Sequence, residues 1–223
     1  MGETGRFAIL REKNKPASCM KTVISNWLLL RLLFQPTAVF EELSDIRPEP
    51  HSVFFKYVIW LALAPPLFAY IGASNFGWRI GAATPLYIPA ENLVIISIVY
   101  FFALLFGFVS TAVVAQSMAA TYGARHSLGI HFALVTIIAA PLAVGSIIHL
   151  YPHVFINVLV LIPTLIWSMY LLYRGLPVVL KISPERGILM ASALIGYLLV
   201  ALVSLFGISV ALWGRGIGPS LGV

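Results

Sequence analysis

The side chains in this sequence that could do chemistry are few. His131 and His149 are 18 residues apart, five turns of an α-helix, so on one helix they share a face with Pro141 between them. A column of imidazoles through a bilayer is what a proton or metal pathway would use, because ionisable groups at that depth are costly. Two rings about 27 Å apart cannot share one ion, and no Asp or Glu occurs between Glu91 and Glu185. The commoner role, with both rings at headgroup level bonding to carbonyls or lipid, is expected. Ser146 and His149, at i and i+3 in GSIIH, could share a hydrogen bond. Serine hydrolysis also needs an oxyanion hole and a base approaching from another element. A serine bonded to its own helix carbonyl is the plainer expectation. Asn92, His149 and Asn157 fall at the ends of apolar runs and could converge on a small polar site with Glu91, while Gln116 sits near the opposite end. Interhelical hydrogen bonds and helix termini explain the same residues. Without a phosphate-binding glycine loop, CxxC pair, HExxH motif or acid pair, the chain is expected to have no catalytic residues, no metal site and no cofactor.

The elements that must carry these residues are membrane helices. Of 223 residues, 60% are hydrophobic and 10% charged, a balance that leaves too little polar surface to keep a soluble domain of this size wet. No Asp, Glu, Lys or Arg occurs between Glu91 and Arg125, between Arg125 and Arg174, or between Arg186 and Arg215. Each gap can hold the roughly 20 apolar residues that span a bilayer, and the second, at 48 residues, can hold two. Five spans are predicted, near 53–73, 93–118, 128–150, 154–173 and 188–213. Tyr151-Pro152-His153 then makes a hairpin between the third and fourth. Ser52, Ser127 and Pro89 with Glu91 read as helix starts. Pro65, Pro66, Pro141 and Pro163 predict kinks, with packing preferred to a transport role. Small residues four apart, such as Ala69 and Ala73, Ala139 and Ala143, or Ser192 and Gly196, offer close helix contacts within the fold or in a homo-oligomer.

Loop cations give an orientation. With the N-terminus inside, Arg47, Lys56, Arg125, Arg174, Lys181 and Arg186 flank the inner ends of spans, against Arg79 and Arg215 outside. A cytoplasmic N-terminus and an outer C-terminus are expected. The sequence pI of about 9.6 then follows from topology and anionic headgroups, with no basic stripe for nucleic acid. Residues 1–52 read as a cytoplasmic arm: 1–21 polar and mobile, 23–46 amphipathic, with Val39, Phe40, Leu43 and Ile46 on one helical face after Pro36. That face should lie on the membrane or against the bundle. Residues 214–223 read as an outer tail. Cys19, the single cysteine, says nothing about redox chemistry.

One stretch interrupts the apolar chain with glycine, prolines and cations: YLLYRGLPVVLKISPERG, residues 170–187. Gly175 and Pro177 predict the stop of the fourth helix, and Ser183, Pro184 and Glu185 the N-cap and first turn of the fifth. Leu176 and the following Val178, Val179 and Leu180 would make an apolar turn dipping into the headgroup boundary, held there by Arg174, Lys181 and Arg186. LLYRGLPVVLKISPERG resembles the motif that ends the fourth span in the Ypt-interacting protein (YIP) family, above all its bacterial inner-membrane branch. FQPTAVFEEL resembles that family's helix before the first span, and IAAPLAVGSI its proline-bearing third span. The resemblance covers about residues 34–213. It implies a five-helix multi-pass protein of the bacterial inner membrane with no known reaction. It does not carry Rab binding, because the long N-terminal region of the eukaryotic branch is missing here.

The expected function is therefore a non-enzymatic adaptor or organiser. Its cytoplasmic face, with Arg174, Lys181, Arg186, Arg47 and Lys56, would bind a protein partner or anionic lipid, and homo-oligomers are possible. The alternative is a small transporter or channel, with Asn92, Gln116, His131, His149 and Asn157 lining a path between kinked helices.

Overall fold

A computed structural model describes residues 28–79, 81 and 84–214 of the chain. Residues 1–27, the tail from 215 onward and part of the 74–90 loop lie outside the described residues, and with them fall the mobile segment expected at 1–21 and the cation Arg215. Two short helices, α1 (Leu28–Phe34) and α2 (Pro36–Ser44), precede five long ones. These are α3 (Pro50–Phe76), α4 (Ala90–Thr121), α5 (Leu128–Leu150), α6 (Val154–Leu180) and α7, which begins at Pro184. All five are long and apolar enough to cross a membrane. The described secondary structure is otherwise limited to two isolated β-bridges, Trp78 with Leu86 and Arg79 with His153.

Hydrocarbon cannot hydrogen-bond a backbone, so apolar runs of this length fold as helices. Where the regular bonding is interrupted, the causes are local. Residues Phe54–Val58 of α3 form a π-helical turn. Pro141 lies inside α5, whose last five residues, Ser146–Leu150, tighten to a 3-10 helix. Ser52 does not cap α3 as expected, because the helix already starts at Pro50 with Glu49 at its N-cap. Ser127 does occupy the N-cap of α5, with extended backbone, but its hydroxyl makes no capping bond.

The largest departure concerns residues 175–180. Gly175 and Pro177 do not stop the fourth helix: α6 runs through both to Leu180. A helical proline costs about 3 kcal/mol, and burial offsets it. Leu176, Val179 and Leu180 are almost wholly buried in the core and do not dip into a headgroup layer, each contributing roughly 1.5–3 kcal/mol. The helix ends instead at Lys181, in left-handed conformation with φ 52°. Its N–H donates to the Val178 carbonyl and that of Ile182 to the Pro177 carbonyl, a Schellman closure. After it, Ser183 accepts from Gly187 N–H as α7 begins at Pro184, with Glu185 in its first turn.

The core gathers at one end of the bundle. Val39, Phe40, Leu43 and Ile46 of the α2 segment are buried, and α2 packs on α6. The Phe40 ring fills the notch left by Gly175, where a Cβ would stand 2.6 Å from ring carbons. At the opposite end α7 is sheathed by no other described element: from Leu198 to Val210 its large apolar residues are exposed. In a bilayer such a surface meets lipid as comfortably as protein.

Candidate functional site

All the described charged residues except Arg79 and Glu91 belong to the arm, the first turns of α3, or the flanks of the α4–α5 and α6–α7 turns. These pieces are tied into one face. Arg31 pairs with Glu42, joining α1 to α2. Lys181 Nζ lies 3.1 Å from Asp45 Oδ1, joining α2 to the α6–α7 turn. The His126 ring bonds the Leu180 carbonyl at 3.0 Å, and Gln116 Nε2 reaches the His126 carbonyl at 3.5 Å. The Arg186 guanidinium lies over the α4–α5 turn, 2.8 Å from where a Cβ on Gly123 would stand. Arg47, Lys56, Arg174, Lys181 and Arg186 are all exposed, so this face presents cations on a platform buttressed by buried apolar side chains.

The five residues of the expected polar path are not brought together. His131, near the start of α5, is fully buried, and neither ring nitrogen has a hydrogen-bond partner among the described residues. It is thus not at a headgroup level bonding to carbonyls, because the core closes over the first turn of α5. Gln116 spends its amide on the neighbouring turn, and Asn92 is half-buried in the first turn of α4. His149 and Asn157 do meet, across the α5–α6 hairpin. The amide of Asn157 donates to the carbonyls of Tyr151 and His153 at 3.1 and 2.9 Å, which leaves Oδ1 to accept from His149 Nδ1–H. The contact fixes the ring with Nδ1 toward Asn157. Ser146 bonds back to the Ala143 carbonyl at 2.6 Å and not to His149, so the Ser–His arrangement for nucleophilic catalysis does not form. No group of three or more metal-ligating side chains occurs among the described residues.

A feature the sequence did not announce is a cleft along α5. Two neighbouring cavities of about 250 and 400 Å³ share Leu104, Phe108, Ala139, Leu142 and Leu165 as walls. The lining is apolar except for Thr111 and Ser168 toward one end and Tyr100, Ser146 and His149 toward the other. Ser168 Oγ is buried without a partner among the described residues, whereas Ser146, Thr136 and Thr164 bond their own helices. Several wall residues, among them Val158, Ile162, Leu165 and Leu198, are also exposed on the bundle's surface, so the cleft opens sideways between helices. Proline and small residues make this room: Pro65, Ala139 and Ala143 leave space where larger side chains would interlock.

Above the cleft, Gly77 (φ 64°) turns the chain out of α3 so that Arg79 N–H donates to the Pro152 carbonyl at 2.9 Å and the Arg79 carbonyl accepts from Val154 N–H at 3.1 Å. The bridge pairs Arg79 with His153 in parallel, setting both side chains on one side of the short ladder. Arg79 Nε and His153 Nδ1 are buried without hydrogen-bond partners among the described residues.

A bundle of five bilayer-length apolar helices, with its charge drawn to the ends, is a multi-pass helical membrane protein. Residues 30–205 match the model of the Yip1 domain, and the chain belongs to that family. The inner membrane protein YohC of Escherichia coli strain K12 is 29% identical over 178 residues, 78% of this chain and 91% of the relative. YohC of Escherichia coli O6:H1 strain CFT073 gives the same figures. No solved structure matches the chain significantly. With these relatives and its five spans, the chain is an inner-membrane protein.

Proposed function

We propose that this protein is a non-enzymatic adaptor or organiser whose charged face, on the cytoplasmic side, binds a protein partner or anionic lipid. The observation that carries this reading is the docked arm: Phe40 seated on Gly175, and Asp45 paired with Lys181, hold α2 beside the exposed Arg174 and Arg186. A rigid, buttressed group of cations at a membrane surface is suited to anionic headgroups or an acidic protein surface. Arginine serves such contacts well because its planar fork can bond bidentately to phosphate or carboxylate. The orientation with the N-terminus inside rests on the loop cations, most of which flank this face.

The test replaces Arg174, Lys181 and Arg186 together by Gln. The variant should retain less anionic phospholipid through purification and lose its crosslinked partners in native membranes, while its helix content stays unchanged by circular dichroism. Unaltered lipid retention together with an unaltered crosslinking pattern would sink the proposal.

A further inference from the structure

We infer that the opposite end of the bundle holds one phospholipid, its phosphate against Arg79 and His153 and one acyl chain lying in the cleft along α5. This site is distinct from the charged face and does not depend on it.

The headgroup half rests on donors left without acceptors. A guanidinium Nε–H has no role except to donate, and on Arg79 it is buried with no partner among the described residues. His153 Nδ1, on the residue bridged to it, is also buried without a partner among the described residues, and it donates when it carries the ring proton. Buried donors without partners cost roughly 1–3 kcal/mol each, and a phosphate oxygen could accept from both. His153 is also the N-cap of α6, a 27-residue helix whose positive end favours an anion. The bridged segments, residues 77–79 and 151–154, contain no carboxylate, and Glu91 is the described carboxylate at this end of the bundle.

The tail half rests on the shape of the cleft and on its mouth. Val158 lines the cleft, and Val154, one turn earlier on the same face of α6, follows directly on His153. Asn157 grips both His149, a lining residue, and the carbonyl of His153. The His149 end of the cleft is therefore linked through Asn157 to the turn that carries the Arg79–His153 pair. From His149 to Leu134 the cleft follows α5 for about 22 Å, parallel to the helices as a lipid chain runs. Two narrow cavities with almost wholly apolar walls suit a hydrocarbon chain. The bilayer supplies such chains directly at the exposed rim of Ile162, Leu165 and Leu198.

The experiment uses the full chain in nanodiscs containing phosphatidylglycerol with a diazirine on one acyl chain. Photo-adducts should concentrate on peptides bearing Leu142 and Leu165. Leu142→Trp and Ser168→Phe fill the cleft from two walls, and each should remove most of these adducts. Arg79→Gln should reduce them about tenfold, the effect of losing one charge-assisted contact, with the melting temperature unchanged. If one filling variant fails to fold, the other and Arg79→Gln still decide. Adducts spread evenly over lipid-facing positions such as Phe102 and Val203 overturn the proposal. So does cleft labelling that persists at full strength in Arg79→Gln.

Discussion

Gly175 shows how much one missing Cβ can position. The ring of Phe40 rests where that carbon would be, so Gly175→Ala should push α2 away from α6. The expected loss is about 1–3 kcal/mol, the usual cost of overpacking, read as a lower melting temperature and faster proteolysis within 35–48. Lys181 is a second case. Among the described residues it is the only non-glycine with positive φ, and it also carries the exposed pair to Asp45. Lys181→Gly and Lys181→Ala both lose that pair, but only glycine relieves the left-handed backbone. The Gly variant should be the more stable of the two by about 1 kcal/mol in thermal unfolding. Asn157 fixes three partners at once. Asn157→Leu should therefore destabilise the α5–α6 hairpin by about 1–2 kcal/mol, since His149 loses its partner while the Tyr151 and His153 carbonyls keep their backbone bonds, and would be seen as faster amide exchange across 149–157.

Among the elements, α6 carries most of the organisation. One end receives the arm, the other is bridged to the segment after α3, and its middle walls the cleft. Proline placement explains how one helix does this. Pro163 lies where α6 is exposed, and Pro177 packs its ring 2.7 Å from the Cβ position of Gly187 in α7. Turning the ring into a contact makes the lost backbone bond tolerable and sets the tight α6–α7 turn. A side chain at 187 should disturb that turn: Gly187→Val is expected to lower the melting temperature by several degrees, about 1–3 kcal/mol, whereas Gly196→Val, where a Cβ meets open space, should leave it nearly unchanged. That open space also means Gly196 makes no close helix contact inside the described fold.

At the scale of the whole molecule, charge and cavity lie at different places. Twelve of the 14 described charged residues sit toward the arm, and two, Arg79 and Glu91, toward the other end. The orientation that this asymmetry implies can be read with cysteines, because Cys19 is the only native one. In a Cys19→Ser background, Ser127→Cys and Ser183→Cys should resist a membrane-impermeant thiol reagent applied outside, and Ser74→Cys should react. The reverse pattern would invert the topology. The three positions are exposed in the fold, so protection would report the membrane and not burial.

The helix count and the charged turns follow from composition alone, because the cost of placing a charge or an open backbone in hydrocarbon is local and can be summed along the chain. The family resemblance was likewise carried by residues 170–187 and their neighbours in order. Gly175 and Pro177 were legible as special but misread as a helix stop, since sequence shows the local penalty and not the Phe40 ring or the Gly187 contact that offsets it. His131 and His149 shared a predicted face, yet one is enclosed by the core and the other is held by Asn157. The cleft and the Arg79–His153 pair had no signal at all. A cavity is the space that several helices fail to fill, and a bridge between residues 79 and 153 exists only because the end of α3 packs against the end of α5, where the chain turns into α6, so both belong to the tertiary arrangement and to no stretch of the chain by itself.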